Sequence, residues 1–223
     1  IKTLKENNIR VLADIVLNHK LGADETEEVL AVQDDAKNRN ISLSDAKPIK
    51  AWTKYVFPGR GNTYSDFKWN WTHFHGTDWD DVDKENGNFD YLMGADIDLN
   101  NFDVVAELKK WGRWYLNFTG IDGFRLDAVK HIRAEFFPEW LGTLRQDSGK
   151  ELFAVGEYWS ANINTMIEYL DKTDNCMSLF DVPLHYNFYR ASVSNGEFNM
   201  AEIFEGTLVK TRPEKAVTFV AAF

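Results

Sequence analysis

The chain has 223 residues, 44% of them hydrophobic and 14% aromatic, which supplies enough apolar surface for a sizeable core. Its formal net charge of −10 opposes binding to phosphate backbones, so nucleic acid is a poor partner, whereas a neutral substrate and a bound cation suit such a field. No apolar run is long enough to cross a bilayer as a helix, and the single cysteine, Cys176, has no partner for an intramolecular disulfide.

Residues 1–6 read as the tail of a helix. The chain opens mid-element, without an initiator methionine or a signal-peptide pattern, so it leaves secreted and cytoplasmic locations equally open. Residues 9–17 form an apolar run that predicts a buried strand and leads into Asn18 and His19.

Residues 20–100 break the pattern with scattered glycines and aromatics and many Asp and Asn residues. A stretch of that length without helical periodicity predicts a small inserted domain. Inside it, Asp90, Asp96 and Asp98 place three acids within nine residues. Together with Asn18, this is an oxygen-only set, suited to Ca²⁺ rather than Zn²⁺, although a solvated acidic loop has the same composition. His73 and His75, with no cysteine nearby, are a weak zinc pattern.

From Asn101 onward, helix and strand patterns alternate. Val104, Leu108, Trp111 and Tyr115 form one apolar helical stripe, with Asn101 or Asp103 as its cap. A strand over 121–126 leads to Asp127. A helix follows over 133–146, closing near Gly149, with Pro138 predicting a late start or a kink. A strand over 152–156 leads to Glu157. Shorter helices are expected over 164–170 and 200–208, and strands over 178–182 and 215–220. Such alternation favours a parallel sheet, either open and doubly wound or closed as a (β/α)8 barrel. Outside the insertion, roughly 140 residues remain. They accommodate about five βα units, against the eight units and ~250 residues of a whole barrel.

Two strand ends carry the chemistry. Arg125 and Asp127 share a strand face, and an arginine beside a carboxylate keeps it ionised, as a nucleophile requires. A buried ion pair closing a strand would look the same. Glu157, followed by Tyr158 and Trp159, has neighbours that favour its protonated form, as a general acid needs. Two carboxylates one βα unit apart match a retaining glycosidase, whose carboxyl groups lie ~5–5.5 Å apart.

Three segments resemble, in order, signature regions of the α-amylase family: Asp14-Ile15-Val16-Leu17-Asn18-His19, Gly123-Phe124-Arg125-Leu126-Asp127-Ala128-Val129-Lys130-His131 and Val155-Gly156-Glu157-Tyr158-Trp159. The run from Phe57 to Trp69 resembles the protruding B domain of the liquefying bacterial subgroup, and Phe180-Asp181-Val182-Pro183-Leu184-His185-Tyr186 matches the same subgroup. The resemblance implies an incomplete (β/α)8 TIM barrel, roughly strands 3 to 7, over residues 1–19 and 101–223, with the B domain inserted over 20–100 after strand 3. It implies endo-hydrolysis of α-1,4-glucans with Asp127 as nucleophile, Glu157 as acid and base, and Arg125 orienting Asp127. His19, Lys130, His131 and Trp159 would contact substrate. One structural calcium would take Asn18, Asp90, Asp96 and the carbonyl of His131.

The chain also departs from the family pattern. Phe219-Val220-Ala221-Ala222-Phe223 stands where the family has Phe-Val-Asp-Asn-His-Asp, so the third family carboxylate and its histidine are not seen. His75 and Asn100 replace frequent aspartates, and the B domain is shorter around residues 80–85, so the second calcium and bridging sodium of some relatives are not implied. A non-catalytic α-glucan-binding relative, an inactive fragment lacking the third carboxylate, and a transglycosylase are the alternatives. A sheet open at its edges leads us to expect an unstable isolated chain.

Overall fold

The structure, a computed structural model, describes residues 1–33, 35, 41–61, 63, 65–78, 90–91 and 94–220. The shortening expected around residues 80–85 and the terminal Ala221-Ala222-Phe223 lie outside them. The chain divides into two compact units, Ile1–Val16 with the chain from Lys109 onward, and Leu17–Leu108.

In chain order, α1 (Lys2–Glu6) and β1 (Leu12–Ile15) precede β2 (His19–Lys20), β3 (Glu25–Gln33), β4 (Lys47–Lys54), β5 (Thr77–Asp78), β6 (Asp90–Tyr91) and β7 (Gly94–Asp96). Then come α2 (Phe102–Thr119), β8 (Gly123–Leu126), α3 (Phe136–Ser148), β9 (Phe153–Gly156) and α4 (Ile163–Lys172). The last elements are β10 (Ser178–Phe180), α5 (Val182–Val193), α6 (Leu208–Thr211) and β11 (Ala216–Val217).

The first unit is built on a five-stranded sheet in the order β1-β8-β9-β10-β11, every pair parallel. Spatial order follows chain order, as expected of successive βα units. Gly123 is fixed by close approach: a Cβ there would lie 2.1 Å from the Phe153 carbonyl oxygen. One face of the sheet is covered through Phe124, whose ring lies 5.2 Å from that of Trp140 in α3. Phe136, Phe137, Trp140, Leu141 and Leu144 of α3 are all fully buried. Each such side chain contributes on the order of 2–3 kcal/mol.

Local signals explain the helix ends. The Asn101 side-chain oxygen accepts from the backbone N–H groups of Asp103 (3.0 Å) and Val104 (3.4 Å), so Asn101 caps α2. The late-start alternative holds for α3, which begins at Phe136 and places Pro138 in its first turn, where no intrahelical donor is needed. Gly149 ends it in the left-handed region, at φ 64°.

Several boundaries differ from the sequence reading. Strand pairing is confined to Leu12–Ile15 because Ile9 bonds back to the Leu4 carbonyl (2.9 Å) instead of joining the ladder. Val182 opens α5 rather than ending a strand. The Asp181 carboxylate accepts from the Leu184 N–H at 3.1 Å, and Pro183 suits a first helical turn. The helix expected over 200–208 is a 3-10 turn, Met200–Glu202, and then α6; Gly206 at φ 67° separates them and Thr207 caps α6. Only Ala216–Val217 of 215–220 is strand, since the preceding 3-10 turn takes up Lys215.

The second unit holds two small sheets, β2-β7-β6 and β4-β3-β5. Asn70 caps the 3-10 turn Trp71–His73, and Tyr55, Trp69 and Phe74 are buried in an aromatic cluster, with Trp69 and Phe74 ring centres 5.6 Å apart.

Candidate active site

The parallel register places the polar residues of the first unit at one end of its sheet. Asp14 pairs with Arg125, which pairs in turn with Val155. The ladder continues past the strand ends, with the Asp127 N–H donating to the Ile15 carbonyl (3.0 Å) and the Glu157 N–H to the Leu126 carbonyl (2.9 Å). Both carboxylates therefore leave the sheet from adjacent positions on neighbouring strands.

Arg125 is their hub, with a side chain only 14% exposed. Its Nη1 lies 2.5 Å from Asp127 Oδ1 and 2.9 Å from Asp14 Oδ1, and its Nη2 lies 3.0 Å from Glu157 Oε2. Two carboxylates thus grip the two ends of one rigid fork, and its width plus two contacts bounds their separation.

Burial raises the pKa of Glu157 above the ordinary carboxylate value. The positive charge of Arg125 and a long contact from the Ala128 N–H (3.4 Å) oppose that shift, while the Asp127 charge and a hydrogen bond with Asp127 reinforce it. Glu157 thus holds a proton more tightly than an ordinary carboxylate, beside a guanidinium-bound Asp127. That pair can attack one face of a carbon while protonating its leaving group.

Lys130 and His131 are exposed in the 3-10 turn Val129–His131 that follows Asp127. Lys130 Nζ reaches the Trp159 carbonyl at 3.4 Å, which ties this turn to the loop after Glu157. The Trp159 indole N–H donates to the Tyr186 hydroxyl at 3.0 Å, and its ring lies 5.8 Å from His185 and 6.0 Å from Phe219.

The remaining candidates belong to the second unit. His19 is buried and pairs with Asp96 across β2 and β7; the Asn18 carbonyl accepts from the Ile97 N–H at 2.9 Å. Asn18 is 1% exposed, and its side-chain nitrogen lies 3.3 Å from His19 Nδ1. Asn18, immediately before β2, is thereby held beside β7, which carries Asp96, and the oxygens of both are hard donors of the kind calcium takes. Asp90 lies in β6 and is described as backbone only. Among the described residues, no group of three or more His, Cys, Asp or Glu side chains forms a metal cage.

Three contributors escaped the sequence reading. Asp14 stands in the first family segment near the end of β1, and that position is its only signal. Ala128 adopts a left-handed conformation, φ 48°, that turns its N–H toward Glu157; an alanine gives no sequence warning of this. Tyr186 sits on α5, a helix the periodicity missed, for which Asp181 and Pro183 were the available signals.

The chain matches the family model described as alpha amylase, catalytic domain, over residues 1–219. It is 53% identical to an alpha-amylase of Geobacillus stearothermophilus over 95% of this chain and 42% of that relative. It is 48% identical to a glucan 1,4-alpha-maltohexaosidase of Bacillus sp. strain 707 over 99% of this chain and 46% of the relative. The chain therefore spans less than half of either relative's length. Among solved structures, it is similar to a cyclomaltodextrin glucanotransferase with a three-domain ABC distribution. That likeness has a TM-score of 0.64 at 21% identity, covering 99% of this chain and 42% of the other. It bears on the fold alone, and with the ordered parallel sheet it makes the first unit an incomplete (β/α)8 barrel.

Proposed function

The chain belongs to the family of α-amylase catalytic domains, and from that premise we propose that it carries the catalytic pair of an endo-acting α-1,4-glucan hydrolase that retains anomeric configuration. One observation carries the reading: Arg125 binds Asp127 and Glu157 with opposite ends of its guanidinium, while burial favours the proton on Glu157.

In the first step, an Asp127 carboxylate oxygen bonds to the anomeric carbon as the glycosidic bond breaks, and the Glu157 proton passes to the leaving oxygen. In the second, the Glu157 carboxylate takes a proton from water, whose oxygen displaces Asp127 from the same carbon. Two inversions restore the α-configuration. Arg125 holds Asp127 aligned, and Lys130, His131, Trp159 and His19 contact the glucan. The enzyme expressed from its complete gene should release α-anomeric maltooligosaccharides first, as read by proton NMR. Initial release of β-anomers would overturn the mechanism.

A calcium ion on Asn18, Asp90 and Asp96 is part of the same reading; the carbonyl of His131, which the resemblance adds, belongs to the other unit. Bound there, the ion would supply charge neutralisation and cross-linking rather than chemistry. The oxygen donors of Asn18, just before β2, and of Asp96, in the paired β7, support it. Chelation should destabilise the protein by about 3 kcal/mol relative to calcium at a hundredfold excess over Kd. A melt indifferent to chelator would remove the ion from the proposal.

A further inference from the structure

The turn after Asp127 holds a conformation that its sequence does not favour. Ala128 stands at φ 48° and ψ 35°, in the left-handed region that an alanine enters only at a cost. Such strain persists where the surrounding structure imposes it.

Three contacts impose it here. The His131 N–H donates to the Ala128 carbonyl at 3.0 Å and closes the 3-10 turn Val129–His131. The Val129 side chain is fully buried and packs on Gly156, where an added Cβ would lie 3.1 Å from Val129 Cγ2. The third contact is remote in sequence: the Tyr169 hydroxyl, on α4, donates to the Val129 carbonyl at 3.2 Å. Tyr169 is 6% exposed, and burial raises its phenol pKa above the ordinary value, so the hydroxyl remains a donor throughout the neutral range. Its ring lies 4.6 Å from that of Tyr158, the residue after Glu157. One side chain therefore braces the backbone beyond both carboxylates.

The kink has a chemical consequence, because it turns the Ala128 N–H toward Glu157 Oε2 at 3.4 Å. Hydrogen bonds of this kind tighten as charge develops on the acceptor. An N–H donor favours the ionised form, which Glu157 adopts once it has protonated the leaving oxygen. Arg125 and Asp127 are the charged groups facing Glu157 from the end of β8, with Asp14 of β1 on the far side of Arg125. Lys130 and His131 belong to the turn itself.

Resting on the hydrolase reading above, we propose that Tyr169 is a positioning residue for acid–base catalysis: through the Val129 carbonyl it holds Ala128 left-handed, and the N–H so aimed steadies the Glu157 carboxylate between the two steps. In the enzyme expressed from its complete gene, Tyr169→Phe keeps the ring and removes the brace. The donor favours the carboxylate, so its loss should raise the alkaline limb of the kcat/KM–pH profile, set by proton loss from Glu157, by about half a unit to one unit. Glycine enters the left-handed region freely, so adding Ala128→Gly to that variant should return the limb to within about 0.2 units of wild type. A tyrosine that only stabilises the fold would lower the melting temperature and leave the limb in place. An unmoved limb in Tyr169→Phe, or a raised limb that Ala128→Gly does not restore, overturns the proposal. Where Tyr169→Phe fails to fold, Ala128→Val replaces it, since a branched side chain opposes the same conformation: a raised limb supports the proposal and an unmoved one rejects it. If the wild type leaves every α-glucan uncut, the hydrolase reading fails by itself. Carboxyl carbon NMR of Glu157, assigned by its loss in Glu157→Gln, then decides the role of Tyr169. A titration raised in Tyr169→Phe and restored by Ala128→Gly supports it, and one identical to wild type in Tyr169→Phe rejects it.

Discussion

Arg125 in the first unit and Lys20 in the second are both part-buried cations, stabilised in opposite ways. Arg125 is held by Asp14, Asp127 and Glu157. Burial works against its charge, but the hydrogen bonds to Asp127 and Asp14 more than offset it and raise its pKa. The Lys20 ammonium sits over rings instead, 4.7 Å from the centre of Tyr55, 5.6 Å from Trp69 and 5.8 Å from Phe57. Burial, joined by the nearby charge of Arg60, lowers its pKa. A planar fork among carboxylates makes a permanent charge that can organise a reaction. An ammonium among aromatic rings is held by cation–π contacts and serves packing.

The comparison breaks first at the nucleophile. Asp127→Asn should lower kcat on the order of 10⁴-fold or more with the fold intact. A loss under about tenfold would demote the Arg125 hub to a structural ion pair. Arg125→Lys keeps the charge but can serve only one end of the pair, so kcat/KM should fall on the order of 10²–10³-fold. Retention of full activity would mean that charge alone suffices.

Glu157 sharpens the contrast through stability. Its pKa is raised in the folded state, mainly by burial, so its protonated form favours folding below the unfolded carboxylate pKa. That contribution is lost as the pH rises through the folded value. Glu157→Gln, neutral throughout, should be more stable than wild type at neutral pH by about 1 kcal/mol and should lose that advantage in acid. A variant that melts lower at pH 7 would contradict the desolvation of Glu157.

The smallest effect is expected in the second unit. The Tyr55 hydroxyl is buried and has no hydrogen-bond partner among the described residues, so Tyr55→Phe should leave stability unchanged or raise it by up to about 1 kcal/mol. Destabilisation beyond that in a thermal melt would reveal a partner for the hydroxyl.

Much of the first unit was legible because its signals are local. Apolar runs marked the strands, Asn101 and Gly149 marked helix ends, and the alternation of Arg125 with Asp127 put both on one face. What misled was equally local: Val182, β-branched after an apolar run, reads as strand until the Asp181 cap and Pro183 are weighed together. The second unit was legible only as an interruption, because short strands paired across long separations, such as Glu25–Gln33 with Lys47–Lys54, leave little periodic trace.

The sequence alone determined the chemistry on offer: which carboxylates end which strands, an arginine two residues before one of them, and a family pattern that names their roles. Only the tertiary structure decided that one guanidinium holds both carboxylates, that Ala128 turns its N–H toward Glu157, and that the Tyr186 hydroxyl accepts the Trp159 indole N–H. The physical reason is that strand-face alternation is encoded within a few residues. Burial and proton affinity depend on which strands the register places side by side, and that is settled only when the sheet closes over its helices.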